Sequence, residues 1–313
     1  MLLRRLILLA TSLLVTFTSQ AEQVVTIGYQ RSSALLLLLK NDGQMEQRLK
    51  PLGFTVKWQQ LDGSLLNDMS NGTVDLNADI TDAFAVLAQA NNAPLTFYAR
   101  ETPSPKSQAV IVAQDSPIRT VADLKGKTVA VAKGTGSHFL LISTLQTARL
   151  TLDDITPRYV DAAEGERAFN QGEVDAWAIW EPYVAAQQKQ HGVRVLANGT
   201  SGIASSNRFY TATNRFAAAH PEVLQAVFDV LRQAGQWAKG HPKEAAKNLA
   251  PLWGDIPLAA VELANSRRSY DVVPVKIYQL GEQQRIADLY YAQKIIPRPV
   301  NIADISVWVP GGD

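Results

Sequence analysis

Four loops of this sequence carry glycines and polar side chains of the kind that hold small anions. Each follows a short apolar segment typical of a strand, and each leads into a segment that predicts a helix. In parallel α/β sheets, ligands lie beyond the carboxyl ends of the strands, in front of helix N-termini. The first amides of a helix lack intrahelical partners and its dipole is positive there, so such ends attract oxyanions. The loops are residues 30–33, 79–82, 134–138 and 180–182.

The third loop has the strongest signal. Gly134 and Gly136 permit close approach of the backbone to a ligand, and the hydroxyl of Ser137 could donate to it. Ser32 and Ser33 give the first loop the same character. Each serine could equally be a helix N-cap and nothing more, so neither loop identifies a site alone. Together they favour an anion held between the two segments.

An aromatic and an acidic residue mark the fourth loop. Trp180 follows a predicted strand and could cover the apolar part of a ligand. It could equally be a core residue, because Trp177 has the same surroundings in the sequence. Glu181, followed by Pro182, is an acid of the kind favoured in the first turn of a helix, with a ligand contact as the alternative.

The elements that must position these loops alternate along the chain. Predicted strands lie near residues 24–29, 54–61, 74–76, 95–99, 110–112, 127–132, 174–179 and 209–213, with helical patterns between most of them. This order predicts an α/β fold of two units, each a mostly parallel sheet flanked by helices. The chain leaves the first unit near residue 110 and returns near residue 210. We therefore expect two lobes joined by a two-strand hinge, with residues 22–109 and 211–313 in lobe 1 and residues 110–210 in lobe 2.

The first 21 residues have the pattern of a secretory signal peptide. Arg4 and Arg5 precede an apolar run of about a dozen residues, and small residues lead to an expected cleavage after Ala21. A membrane anchor is the alternative, but the run is shorter than the ~20 residues that a spanning helix needs. The chain has no cysteine, which excludes a lipid-modified cysteine, disulfides and thiolate chemistry. We expect a protein that moves freely in the periplasm.

Charge and motif content exclude several other classes of protein. Without Arg4 and Arg5 the chain has 28 basic and 29 acidic residues and no basic stripe, which argues against binding to nucleic acid or anionic membranes. The four histidines are scattered and lack metal-ligand spacing. No nucleophile elbow, phosphate-binding loop or dinucleotide motif occurs. We therefore predict a protein that is not an enzyme and carries no metal or cofactor.

Several segments in a fixed order resemble a known family of receptors. These segments are residues 28–33, 120–130, 133–138 and 175–183. They closely resemble aliphatic-sulfonate-binding receptors of ABC importers, within the wider nitrate, sulfonate, taurine and bicarbonate receptor family. The likeness runs from about Val24 to the C-terminus. Residues 120–130 are of a type common to many solute receptors, whereas residues 175–183 together with the start at Gly28 are more specific.

The resemblance implies a two-lobed receptor that closes over a small organic anion and delivers it to permease subunits at the inner membrane. It implies that hydroxyls and backbone amides from the loops after Tyr29 and Lys133 surround the sulfonate oxygens. We expect no nucleic-acid partner and a monomeric protein. The candidate ligand-binding residues are Gln30, Ser32, Ser33, Thr81, Asp82, Gly136, Ser137, His138, Trp180 and Glu181.

One loop departs from the family pattern. Sulfonate receptors tend to have small and hydroxyl residues after the third strand, whereas this chain has Asp79 and Asp82 there. Carboxylates would repel an anion, and a buried unpaired carboxylate costs several kcal/mol. They could face solvent, pair with a cation such as Arg208 or Lys106, or bind the ammonium of a zwitterionic ligand such as taurine. Asp82 could also simply cap its helix.

Two further classes remain as rivals to a receptor. An enzyme on the same fold is one, but the pyrimidine-precursor synthases related to this family use cysteine-rich and lysine–histidine chemistry, and this chain has no cysteine. A ligand-sensing regulatory domain is the other, and the predicted export signal argues against it. The mechanism we expect is ligand binding followed by lobe closure.

Overall fold

The computed structural model describes residues 22–61, 65–254 and 256–311, so the predicted signal peptide lies outside the described residues. The strands are β1 (Gln23–Tyr29), β2 (Phe54–Gln60), β3 (Ile80–Thr81), β4 (Leu95–Glu101), β5 (Gln108–Val112), β6 (Thr128–Val131), β7 (Thr156–Tyr159), β8 (Ala176–Trp180), β9 (Arg194–Asn198), β10 (Arg208–Thr213), β11 (Val272–Val273) and β12 (Ser306–Val307). The helices are α1 (Ala34–Asp42), α2 (Gln44–Leu49), α3 (Leu65–Asn71), α4 (Asp82–Ala90), α5 (Gly136–Thr147), α6 (Ala162–Asn170), α7 (Tyr183–Gln190), α8 (Asn214–Ala219), α9 (Pro221–Gly240), α10 (Pro242–Leu249), α11 (Leu258–Ser266) and α12 (Gly281–Ala292). None of the helices in these described ranges is long and apolar enough to cross a membrane.

The strands form two sheets, and each sheet is the centre of one lobe. In lobe 1, β1 pairs in parallel with β2, and Leu76 bridges Ile27 of β1 to Ala212 of β10. Strand β10 continues this sheet to β4, whose far side pairs with β11 and β12. In lobe 2 the order is β7-β6-β8-β5-β9. The expected two-lobed α/β architecture is confirmed.

The sheets are mixed and not mostly parallel, which corrects the expectation from sequence. Strands β6, β7 and β8 are parallel, but β5 runs antiparallel to both β8 and β9. In lobe 1, β10 runs antiparallel to β4. The cause is the double crossing between the lobes, because the strand that leaves each lobe lies beside the strand that enters it and the two must run in opposite directions.

The chain crosses between the sheets over residues 102–107 and 199–207. The backbone amide of Ser104 donates to the carbonyl of Ser205 (2.9 Å), and that of Gly199 donates to Pro105 (2.8 Å). A Cβ on Gly199 would lie 2.0 Å from the carbonyl oxygen of Ala204, so only glycine fits this crossing. The expected lobe boundaries at residues 110 and 211 fall inside β5 and β10.

The helices that follow the candidate loops are held in place by the burial of their apolar side chains. The leucine run 35–39 in α1 is fully buried against α9 and α10, as expected of a buried helix face. Helix α5 of lobe 2 buries Phe139, Leu140 and Ile142 in an apolar cluster that also contains residues of α4 and α12 of lobe 1. The two lobes are therefore in direct apolar contact beside the hinge.

Candidate functional site

The four candidate loops meet at one cleft between the lobes. The cleft has a volume of about 220 Å³. Lobe 1 contributes residues of the first and second loops, and lobe 2 contributes residues of the third and fourth. The lining residues are Gln30, Ser32, Leu65, Leu66, Asp79, Ile80, Thr81, Phe84, Thr135, Gly136, Trp180 and Arg208.

Three helix N-termini point toward this cleft. Ser32 lines it just before α1, Thr81 is the N-cap of α4, and Thr135 is the N-cap of α5. Gly136, the first residue of α5, has no room for a side chain, since a Cβ there would lie 2.6 Å from Nε2 of Gln108. The positive ends of three helix dipoles thus lie at the same volume, an arrangement that stabilises an anion. The first amides of α4 already donate to Asn207, Asp82 and Thr81, so this helix contributes its dipole and not free amides.

A guanidinium group adds a full positive charge. Arg208, at the start of β10, lines the cleft and has 14% of its side chain exposed. Its Nη1 lies 3.0 Å from Oδ2 of Asp79, and Nη2 of Arg268 lies 2.8 Å from the same oxygen. Arg268 also binds Glu101 through Nε (2.8 Å). Two cations thus neutralise two buried carboxylates, and the group as a whole does not repel an anion.

Asp79 pairs with Arg208, one of the two cations considered for it from the sequence, and it does not face solvent. Burial by itself raises the pKa of Asp79, but Arg208, Arg268 and the hydroxyl of Ser33 lower it by more, so the carboxyl is held below its usual range. Because two guanidinium groups already bind this carboxylate, a ligand ammonium is not needed to balance it. The departure of this loop from the family pattern is compensated by arginines distant in sequence.

Asp82 lines neither the cleft nor the cavity next to it. Its Oδ1 accepts from the amide of Ala83 (2.9 Å) and its Oδ2 from the amide of Asn207 (3.0 Å). The N-cap of α4 is Thr81, not Asp82. Burial, with a smaller contribution from Glu282, raises the pKa of Asp82 to about 6. Its position supports a structural role at the hinge and not a ligand contact.

We expect Asp82→Asn to become increasingly stabilising as the pH rises. The pKa of this carboxyl is raised in the folded state from 3.8 to about 6, so the folded state binds the proton more tightly than the unfolded state. Wild-type stability therefore falls as the pH rises from about 4 to about 6, and asparagine removes that loss. The melting temperature of the variant relative to wild type should rise between pH 4.5 and pH 7.5. A difference that does not change with pH would contradict this assignment, and Glu282→Gln should weaken the dependence.

A smaller cavity adjoins the cleft at the hinge side, and we call it the inner chamber. It has a volume of about 30 Å³ and shares Ser32, Thr81, Trp180 and Arg208 with the cleft. Its other lining residues are Ser107, Gln108, Glu181, Ser206, Trp253, Ala264, Arg268 and Tyr270. The carboxylate of Glu181 accepts from the amide of Ala185 (2.9 Å) and from Nη1 of Arg267 (2.5 Å). Glu181 lies before Pro182, the N-cap of α7, so the expectation of a first-turn acid is wrong, and its carboxylate instead joins the start of α7 to Arg267 of lobe 1.

Three other candidate residues are fully buried and line neither cavity. Oγ of Ser33 accepts from the amide of Gln30 (3.1 Å), and Ser137 donates to Oε1 of Gln108 (3.3 Å). Nδ1 of His138 accepts from the amide of Gly134 (3.1 Å). Burial, together with Lys133, lowers the pKa of His138 to about 4, so the ring is neutral. Their positions support roles in holding the loops, because each makes a hydrogen bond to another protein group, although Nε2 of His138 has no partner within the described residues.

The candidate set omitted the apolar wall and the basic groups of the site. Leu65, Leu66 and Phe84 line the cleft, and an apolar residue near a helix start is indistinguishable in sequence from a core residue. The sequence indicated Arg208 only as a cation that could pair with Asp79, and not as a residue that lines the site. Arg268, Ser206 and Trp253 had no signal, since their positions depend on contacts between distant parts of the chain.

Comparison with known proteins places this geometry in a family. Residues 58–245 match the NMT1/THI5-like family. An aliphatic sulfonates-binding protein of Escherichia coli (strain K12) is 33% identical over 305 residues, which cover 97% of this chain and 94% of that protein. The structure of the alkanesulfonate-binding protein SsuA from Xanthomonas axonopodis pv. citri, bound to MOPS, superposes with a TM-score of 0.84 at 35% identity, covering 91% of this chain and 98% of that one. The desulfurization enzyme DSZB shares the fold at 16% identity, with a TM-score of 0.68 and coverage of 91% and 96%.

Proposed function

The chain belongs to the NMT1/THI5-like family, and on this basis we propose that it is the substrate-binding component of an ABC importer for aliphatic sulfonates. The observation that carries the proposal is that the lining of the cleft combines two chemically different kinds of residue. Three helix N-termini and the guanidinium of Arg208 are suited to an anion, whereas Leu65, Leu66 and Phe84 are apolar. A sulfonate on a hydrocarbon tail has the same combination.

The head group binds where Ser32, Thr81 and Gly136 converge. Amides and hydroxyls there donate to the oxygens, and Arg208 supplies the opposite charge. Sulfonate is fully ionised at neutral pH and has no proton to donate, so a site made of donors fits it without an acceptor partner. Sulfonate-binding relatives with this fold support the assignment.

The tail lies against the apolar wall formed by Leu65, Leu66, Phe84 and Trp180. Burial of hydrocarbon contributes roughly 25 cal/mol per Å² of apolar surface removed from water. Among the described residues that line the cleft, no carboxylate is left to match an ammonium, because Asp79 already binds two guanidinium groups. This favours alkyl and aryl tails over the amino tail of taurine.

Lobe closure over the ligand is the transport-competent step, and it presents a closed surface to the permease subunits. We place the protein in the periplasm, because its relatives are periplasmic binding proteins and the predicted leader fits export. We propose that it acts as a monomer and as a receptor without catalytic activity. The shared fold of the desulfurization enzyme does not argue otherwise, since fold alone does not carry chemistry.

A thermal-shift screen of the chain from Glu22 onward tests this function. The panel contains alkanesulfonates of increasing length, taurine, sulfate, nitrate and bicarbonate. A ligand present at 100 times its dissociation constant stabilises the fold by about 2.7 kcal/mol, which raises the melting temperature by several degrees. We expect alkanesulfonates to give this shift and taurine to give a smaller one. No response to any alkanesulfonate would overturn the proposed substrate class.

A further inference from the structure

Two residues that line the inner chamber carry buried polar groups that are not satisfied by the described part of the protein. Nε1 of Trp253 and Oγ of Ser206 belong to residues that are only 3% exposed. Neither atom has a hydrogen-bond partner among the residues that the structure describes. A buried polar group left unpaired costs about 1–3 kcal/mol, so two in one chamber point to a ligand that completes them.

Both groups are held firmly by the backbone around them. The amides on either side of Ser206 are bound by carboxylates, that of Ser205 by Glu282 (2.6 Å) and that of Asn207 by Asp82 (3.0 Å). The amide of Trp253 donates to Leu249 (3.0 Å), and its carbonyl accepts from Arg31. The backbone that carries the two groups is therefore held in place before any ligand arrives, which lowers the cost of ordering the site on binding.

The polar groups of the chamber favour a ligand atom that accepts hydrogen bonds. The indole N–H is a donor only, and a serine hydroxyl can donate. The carboxylates at or beside the chamber are already bound by arginine, Glu181 by Arg267 and both Asp79 and Glu101 by Arg268. An acceptor oxygen thus finds unpartnered donors there. Oδ1 of the neighbouring Asp79 also has no hydrogen-bond partner within the described residues, but that carboxylate does not line the chamber and is already neutralised by two guanidinium groups.

The size of the chamber limits that acceptor to about one atom. A volume near 30 Å³ holds one or two water-sized groups, too little for a hydrocarbon tail. The chamber adjoins the head-group end of the cleft through Ser32, Thr81 and Arg208. An oxygen of a head group bound in the cleft can therefore extend into the chamber.

We propose that Trp253 and Ser206 form a subsite for the third oxygen of the sulfonate, and that this subsite makes the receptor select sulfonates over carboxylates. This inference rests on the function proposed above. Two sulfonate oxygens are held by the helix N-termini and Arg208, and the third enters the chamber. A carboxylate has only two oxygens, so it leaves the indole and the hydroxyl unpaired. Sites that leave buried donors unpaired reject the deficient ligand strongly.

The test compares two ligands with the same four-carbon tail, butanesulfonate and pentanoate. Dissociation constants are measured by calorimetry for wild type, Trp253→Phe and Ser206→Ala. We expect each variant to bind butanesulfonate about tenfold more weakly, the effect of one lost hydrogen bond to a charged group. Binding of pentanoate should be weak in wild type and unchanged in the variants, so the preference for sulfonate falls with each substitution.

Ser143→Ala is the matched control. Ser143 is also a buried serine whose hydroxyl has no partner within the described part of the chain, but it lines neither the cleft nor the chamber. The Ser143→Ala variant should bind both ligands with the same affinity as wild type. Equal losses for the two ligands in the Trp253 and Ser206 variants, or no loss for either, would overturn the subsite. If wild type binds no sulfonate at all, the proposed function fails, and the two failures are thereby distinguished.

Discussion

Arg208→Met should weaken alkanesulfonate binding by at least about 30-fold, because it removes the guanidinium that lines both the cleft and the inner chamber. Truncating one partner of a buried charged contact costs about 2–5 kcal/mol, which corresponds to this loss. The measurement is the dissociation constant for a ligand identified in the thermal-shift screen. Arg208→Lys should recover only part of the affinity, since an ammonium lacks the bidentate geometry of a guanidinium.

The same substitution also removes one of the two cations bound to Asp79, and this effect must be separated from ligand binding. Asp79 is 1% exposed, and breaking a buried pair destabilises a fold by about 3–5 kcal/mol. The double variant Arg208→Met with Asp79→Asn leaves no uncompensated charge. We expect it to melt closer to wild type than the single variant does and still to bind poorly.

Arg298→Met provides the control for the loss of an arginine from lobe 1. Arg298 donates to the carbonyl of Ala90 at the end of α4 and lines neither cavity of the site. The Arg298→Met variant should bind the ligand with the same affinity as wild type. If the Arg208 and Asp79 double variant is folded and binds within threefold of wild type, Arg208 does not contact the head group.

The second large effect is expected at the contact between the lobes on the side of α7 and α11. Arg267 of lobe 1 lies 2.5 Å from Oε1 of Glu181 in lobe 2, and both side chains are mostly buried. Arg31 of lobe 1 lies over the ring of Tyr183 in lobe 2. Trp180, which lines the cleft, immediately precedes Glu181. The Arg267–Glu181 pair, which we call the latch, thus holds the lobes together next to a wall of the ligand site.

The latch joins a residue of lobe 1 to a residue of lobe 2, so we expect opening of the lobes to break it. Arg267→Met should therefore increase the dissociation rate of the ligand by roughly tenfold, the effect expected for a desolvated charge pair in an interface. Glu181→Gln should act in the same direction. The double variant Arg267→Met with Glu181→Gln should release the ligand no faster than the faster of the two single variants, because the two residues act through one contact.

The readouts are stopped-flow dissociation kinetics and small-angle scattering of the ligand-free protein. The scattering should show a larger radius of gyration for the Arg267 variant, which a local loss of stability would not produce. Arg167→Met is the matched control, since Arg167 pairs with Glu164 and Glu173 entirely within lobe 2. Unchanged dissociation rates and an unchanged radius of gyration in the latch variants would show that closure does not depend on this pair.

Local sequence was sufficient to determine the fold class and the general position of the site. Alternating strand and helix patterns predicted the two α/β lobes, because hydrophobic periodicity is a property of neighbouring residues. Loops at strand ends predicted the position of the candidate site, and Gln30, Ser32, Thr81, Gly136, Trp180 and Glu181 all line the cleft or the chamber. The family followed from short ordered segments, and the comparisons confirmed it.

Tertiary structure decided which side chains of those loops face the site. Ser32 lines the cleft, whereas the adjacent Ser33 faces the protein, because the backbone torsions of a loop decide the direction of each side chain. The strand directions were mixed, since they depend on how the chain crosses between lobes. The partners of Asp79 came from positions 208 and 268, and the free donors of the chamber from positions 206 and 253. Such long-range contacts leave no periodic trace in the sequence, because only the packed fold brings the residues within hydrogen-bonding distance.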